Sequence, residues 1–211
     1  MSELQEPQAW TEEERPGGEA EPLVEYVSAV PSPRRALVAC IAGSVLCTFG
    51  DHLHATQGVL GYPHVFAGSQ AWWVPLLFFV STLGVLTLTT VLRRALGGAS
   101  VDPSWYAVAG DALAFITAYA FTAYAAVLPD VVLGVLTAWW IARMLSSRAA
   151  SWVVALGAAL AVLGPIVEHI VSSLGLFAYR YPDFWGVPRW LPALYLHSAP
   201  LAARLEVRTR A

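Results

Sequence analysis

Apolar residues run almost unbroken from Ala36 to Phe49, and five further apolar runs follow, separated by short segments rich in proline, arginine and other polar residues. A helix that crosses a bilayer needs about 20 mostly apolar residues. By that measure the first span has to take in part of Gly50-Asp51-His52-Leu53-His54, so it ends among polar groups. The later runs predict helices at Ala71 to Leu92, Trp105 to Leu128, Asp130 to Leu145, Ser151 to Phe177 and Trp190 to Leu205. The fourth is short and calls for a thin or locally adjusted membrane. Before the sixth lies Tyr181-Pro182-Asp183-Phe184-Trp185-Gly186-Val187-Pro188-Arg189-Trp190-Leu191-Pro192, which is too polar for lipid. Pro182 and Pro188 remove backbone donors and bias the residues before them away from helix, which predicts an extended turn at a membrane surface. Pro192 is tolerated in the first turn of the last helix. Tyr181, Trp185 and Trp190 suit the interfacial belt.

This pattern predicts an all-α integral membrane protein: a six-transmembrane-helix bundle over residues 33–207, preceded by a disordered tail over residues 1–32. The tail holds Glu12-Glu13-Glu14, Pro16-Gly17-Gly18 and Pro31-Ser32-Pro33 with little apolar content to offset chain entropy. No cationic start with a short apolar core and a small-residue cleavage site is found at the terminus, so no cleavable signal peptide is expected. Composition agrees, with 57% hydrophobic and 13% charged residues. The net charge of −3 describes the tail, where eight of the fifteen acids lie.

All twelve basic residues are arginine. Six spans place Arg15, Arg34, Arg35, Arg93, Arg94, Arg143, Arg148, Arg204, Arg208 and Arg210 on one side and leave Arg180 and Arg189 on the other. The positive-inside rule makes the first side cytoplasmic, with both termini there. Cys40 and Cys47 stand two helical turns apart, roughly 10 Å, beyond disulfide reach. No phosphate-cradling glycine loop, zinc-finger cysteine spacing or basic patch with interleaved aromatics appears, which sets aside nucleotide, structural-zinc and nucleic-acid roles. No cofactor and no metal are expected.

Ionisable groups within spans are costly and usually paired, wet or functional. Asp51, His52 and His54 fall near the outer end of the first span, Glu168 and His169 about 25 Å up the fifth, and His197 about 10 Å into the sixth. The expectation is a polar pocket in the outer half, lined also by Gln70, Trp72 and Trp73. Gly164-Pro165 is expected to open the fifth helix beside it. Two alternatives stay open: Glu168 or Asp51 simply pairs with Arg180 or Arg189, or the Asp/His/Glu cluster serves an intramembrane lipid-modifying enzyme. Five histidines without a His-x-x-His-His group are too few for a membrane di-iron site. Asp111 is expected near the inner surface or beside an arginine such as Arg94. Gly157, Ala161 and Gly164 offer a small-residue face for close helix contact or self-association.

Three motifs in order, Ala71-Trp72-Trp73-Val74-Pro75, Trp139-Trp140, and Pro182-Asp183-Phe184 followed by Arg189-Trp190-Leu191-Pro192, resemble the insulin-induced gene (Insig) family of membrane sterol sensors. The resemblance is to a bacterial, mycobacterial-like member. It implies the six-helix Insig bundle, an integral multi-pass protein of a bacterial cell membrane, and a lipid-binding or lipid-sensing role without catalytic residues. The partner implied is a sterol-like or diacylglycerol-like lipid held between helices, in a homo-oligomer such as a trimer. By the same resemblance Trp139 and Phe115 line the lipid site. With the outer cluster, the candidate lipid-binding set is Trp72, Trp73, Phe115, Trp139, Asp51, His52, Glu168 and His169. The family's Scap-binding aspartate aligns with Arg143, so a Scap-type partner is not expected.

Overall fold

The computed structural model describes residues 31–66, 68–99, 101–147 and 149–210; the expected disordered tail, except its last two residues, lies outside the described residues. The chain forms α1 (Pro33–Thr56), β1 (Leu60–Gly61), α2 (Val74–Ala95), α3 (Trp105–Ala125), α4 (Pro129–Ser146), α5 (Ser151–Ser173), β2 (Ala178–Tyr179), α6 (Leu191–Leu196) and α7 (Ser198–Arg210). Four of these, α1, α2, α3 and α5, are long and apolar enough to cross a membrane. The chain is a multi-pass membrane protein built of helices, with one short two-stranded ladder.

Local chemistry sets the boundaries. Pro33, Pro75, Pro129 and Pro192 each fall in the first turn of a helix, where a missing N–H costs nothing. That is why α2 starts at Val74 rather than Ala71, with Trp73 at its N-cap. Likewise α3 stops at Ala125 rather than Leu128, because Leu128 precedes Pro129 and leaves helical geometry. Its start is capped: Ser104 Oγ accepts from Ala107 N–H at 3.2 Å. Gly175, at φ 73°, ends α5 at Ser173 rather than Phe177 by letting its N–H turn back to Ser172 O. Pro165 sits inside α5 without ending it.

The sixth run is not one helix. Pro200 has no N–H for the carbonyl of Leu196, so the ladder breaks at His197 and resumes as α7, which reaches Arg210 rather than Leu205. The break leaves Trp190 and Leu191 fully buried against Val132 and Leu136 of α4 and Ala118 of α3. A second cluster joins Trp152 and Leu156 of α5 to Ala199, Ala202 and Ala203 of α7.

Glycines set the closest approaches. A Cβ at Gly50 would stand 2.6 Å from Tyr119 Cγ, and one at Gly164 2.5 Å from Tyr195 ring atoms. Gly157 lies against Trp140 and Leu196. The small-residue face of α5 is thus occupied within the chain, and Gly157 and Gly164 are not free for self-association.

The two ends of the bundle differ. At one end β1 pairs antiparallel with β2, Leu60 opposite Tyr179, tying the α1–α2 connection to the α5–α6 connection. There Arg189 bridges Asp130 and Asp183, each at 2.9 Å. The segment expected to be an extended turn is a tight one: Trp185 (φ 53°) and Gly186 (φ 73°) both adopt positive φ, and Phe184 pairs with Val187. At the other end two ion clusters form, the first buried and the second half-buried. Glu206 meets Arg210 at 2.6 Å and Arg93 at 3.2 Å, and accepts from Thr90 at 2.9 Å. Asp111 meets Arg143 at 2.7 Å and Arg204 at 2.6 Å, rather than Arg94.

Candidate functional site: two joined cavities

A small cavity of about 40 Å³ lies under the β1–β2 ladder, and a larger, more apolar one of about 110 Å³ lies deeper between α1, α2, α3, α6 and α7. They share Phe78, Ser81, Tyr119, Leu194 and Tyr195 as walls, so a polar cavity and an apolar one lie side by side.

The polar end is built on two carboxylates. Asp51, near the end of α1, accepts from Tyr62 Oη at 2.7 Å and Gln70 Nε2 at 2.6 Å, both on Oδ2. No donor among the described residues reaches its Oδ1. Gln70 also donates to Thr48 O, fixing the α1–α2 connection over the helix end. Glu168, one turn beyond Gly164 on α5, accepts from the hydroxyls of Tyr179 on Oε2 and Tyr195 on Oε1, the latter at 2.7 Å. Gly164 makes this possible, because any side chain there would displace the Tyr195 ring. Among the described residues no arginine lines this cavity. Arg180 lies over the Tyr181 ring, 5.4 Å from its centroid, and Arg189 serves Asp130 and Asp183, so neither pairs with Glu168 or Asp51. The outcome is an acceptor-rich, acidic end.

His54, fully buried beside this cavity, bonds Thr122 Oγ1 at 2.7 Å. Thr122 spends its own hydrogen on Tyr119 O, so the histidine Nε2–H must be the donor. Trp73 is half-buried, packs edge-on to Tyr62 at 5.6 Å and lines the polar cavity. Trp72 is 64% exposed and does not. His52 is half-buried and faces the Gly68 turn, where a Cβ would stand 3.1 Å from its ring. His169 turns outward and donates from Nδ1 to Trp185 O at 2.7 Å. The single outer pocket expected from depth therefore gathers Asp51, His54, Gln70, Trp73 and Glu168, and leaves out Trp72, His52 and His169. Rise along a helix gives depth but not azimuth, and these three face other ways.

At the apolar end Phe115, 5% exposed, forms part of the wall with Cys47, Thr82 and Leu201. Trp139 does not line this cavity. Its ring lies 4.5 Å from that of His197 and 5.8 Å from the Arg143 guanidinium. His197 likewise leaves the outer group: its Nε2–H donates to Leu136 O at 3.0 Å, so Nδ1 accepts from Arg143 at 3.3 Å, joining it to the Asp111 cluster. Tyr62, Tyr179 and Tyr195 were not legible as site residues, since tyrosines near a membrane surface read as interfacial anchors. Glu206 carried a usable signal, an acid four residues before Arg210 on one helix face. Among the described residues no three His, Cys, Asp or Glu side chains gather as metal ligands do.

Comparison with known proteins places this architecture. No family model matches the chain. The INSIG protein homolog of Mycolicibacterium vanbaalenii is 30% identical over 184 residues, which cover 81% of this chain and 84% of that protein. Two crystal structures of MvINS, a mycobacterial Insig homolog from Mycobacterium vanbaalenii, match with a TM-score of 0.72 at 26% identity over 85% of this chain. They are covered to 95% and 97%, and the first is a cross-linked trimer. Sequence and structure agree over four-fifths of the length, and the chain belongs to the Insig family.

Proposed function

We propose that the protein binds a neutral, hydroxyl-bearing membrane lipid, sterol-like or diacylglycerol-like, in the joined cavities and acts as a lipid-binding or lipid-sensing protein without covalent chemistry. The observation that carries this reading is the pairing of two acceptor carboxylates, with no arginine beside them among the described residues, with an apolar chamber walled by Phe115. Carboxylate acceptors favour a ligand that donates hydroxyl hydrogens and repel a phosphate. Apolar walls with a few placed polar groups are the usual composition of a small-molecule site. Asp51 and Glu168 would take the hydroxyls, and Phe115 would pack on the apolar body. An intramembrane enzyme is the weaker reading, because Glu168 is held by two tyrosines while His169 and His197 point elsewhere.

Six crossings, with α4 and the broken α6–α7 run as the fourth and sixth, would put both termini and the ion-cluster end in the cytoplasm of a bacterial cell. The trimer of the relative supports a homo-oligomer here, with a trimer as the expected form. Arg143, engaged by Asp111, replaces the family's partner-binding aspartate, so no Scap-type partner is assigned. Lipid extracted from protein purified in mild detergent tests the reading. A neutral hydroxylated lipid enriched over bulk membrane supports it; only bulk phospholipid, or one tightly bound metal per chain, contradicts it.

A further inference from the structure

At the ion-cluster end, Ser32 N–H donates to Thr209 O at 2.8 Å, which sets the first turn of α1 beside the last turns of α7. Arg34 and Arg35 thereby stand next to Arg208. The three arginines rim a groove of about 430 Å³ that shares no lining residue with the polar cavity and only Leu205 with the apolar one. Its walls include Val38 and Ala42 of α1 and Leu205 of α7, and among the described residues no acidic side chain lines it. Arg208 is fixed in place: its guanidinium lies 3.6 Å from the centroid of the Trp105 ring and donates to Pro103 O at 2.5 Å. Arg34 and Arg35 are exposed, and their side chains make no hydrogen bond or ion pair among the described residues. Trp105 is 66% exposed, as a ring at a membrane interface would be.

We infer that this groove is a binding site for an anionic phospholipid. Its phosphate lies among Arg34, Arg35 and Arg208, and an acyl chain descends along Val38, Ala42 and Leu205. Two guanidiniums with no partner among the described residues and one preset by stacking supply directed donors for phosphate oxygens. The apolar wall that begins directly beneath them supplies what a soluble anion lacks. Basic pockets between helix ends at a membrane surface have the charge to select anionic head groups over zwitterionic ones. This site is chemically opposite to the acidic end of the joined cavities, and the two would take different lipids.

The test uses the full chain in neutral detergent, where membrane orientation plays no part. Phosphatidylglycerol or phosphatidylcholine is titrated in, and bound lipid is read by native mass spectrometry beside the thermal unfolding midpoint. Phosphatidylglycerol should bind in preference and raise the midpoint. The Arg34→Gln/Arg35→Gln double variant should bind it roughly tenfold more weakly or worse, with an unchanged lipid-free midpoint, since neither side chain supports the fold. Arg94→Gln, on an exposed arginine outside the groove, and Glu168→Gln, in the other site, should bind it as the parent does. Equal binding of phosphatidylcholine, or parent-like binding by the double variant, overturns the proposal. So does full displacement by inorganic phosphate, which would mark a plain anion site. Binding that appears only after Glu12, Glu13 and Glu14 are changed to Gln would give the groove to the chain's own acidic segment.

Discussion

A carboxylate held by hydroxyls responds to substitution differently from one held by guanidiniums, and this chain contains both kinds. Glu168 is bound by Tyr179 and Tyr195. Glu168→Gln keeps an acceptor oxygen and a similar shape, and tyrosine hydroxyls can turn to accept from the new amide, so the fold should lose at most about 1 kcal/mol. Glu168→Leu leaves two tyrosine hydroxyls without their acceptor and should cost about 1–3 kcal/mol for each. Glu206 is the contrast: it is 1% exposed and shared by Arg93 and Arg210. Glu206→Gln removes the charge both guanidiniums use and should cost about 3–5 kcal/mol. Thermal unfolding in one detergent, with added lipid held constant, checks all three. A Glu206→Gln loss no larger than that of Glu168→Gln would contradict the assignment.

The surface carboxylate Asp183 gives the pH dependence. Hydrogen bonds from the Arg189 side chain and backbone hold it below the ordinary carboxylate range. A depressed folded value means the stabilisation is complete above the unfolded pKa near 4 and is lost as pH falls through the folded value. The 183–189 turn should therefore show normalised amide exchange independent of pH from about 8 to 5, rising only in stronger acid. A rise centred near neutrality would assign the turn's order to another group.

At the scale of elements, helix existence was legible in the apolar runs and Pro192 was read as a helix start, whereas Pro33, Pro75 and Pro129, which also open helices, were not used. The break at His197 was missed although it carried a signal: Pro200 stands ten residues inside the run expected as one helix from Trp190 to Leu205, where a proline leaves the carbonyl four residues earlier without its donor. The β1–β2 ladder was hidden because Leu60–Gly61 and Ala178–Tyr179 are too short for an alternating pattern. Facing was the larger loss: apolar residues surround these helices, so no polar face reveals which side meets the core. Glycines carry that information once neighbours are known. Gly50→Ala and Gly164→Ala press a methyl into the Tyr119 and Tyr195 rings and should cost about 1–3 kcal/mol. Gly84→Ala and Gly110→Ala meet nothing within 4 Å and should be neutral or slightly stabilising through helix propensity. Indistinguishable midpoints across the four would refute the packing described.

For the whole molecule, the separation of a tyrosine-and-ladder end from an arginine-cluster end is the organising feature. Arginine placement along the sequence already divided the chain this way, but buried Asp111 and Glu206 show that several of those arginines also fasten helices together. A cysteine at Asp183 should be labelled from outside an intact cell by an impermeant thiol reagent, and one at Ser146 should not. The reverse pattern would invert the proposed orientation while leaving the cavities unaltered. The central claim is that the two cavities act as one lipid site, and native mass spectrometry of bound neutral lipid in three proteins tests it most directly. The parent chain should carry the lipid, Phe115→Trp should exclude it by filling the apolar chamber, and Glu168→Gln should weaken it without unfolding. Equal occupancy in all three proteins would contradict the account.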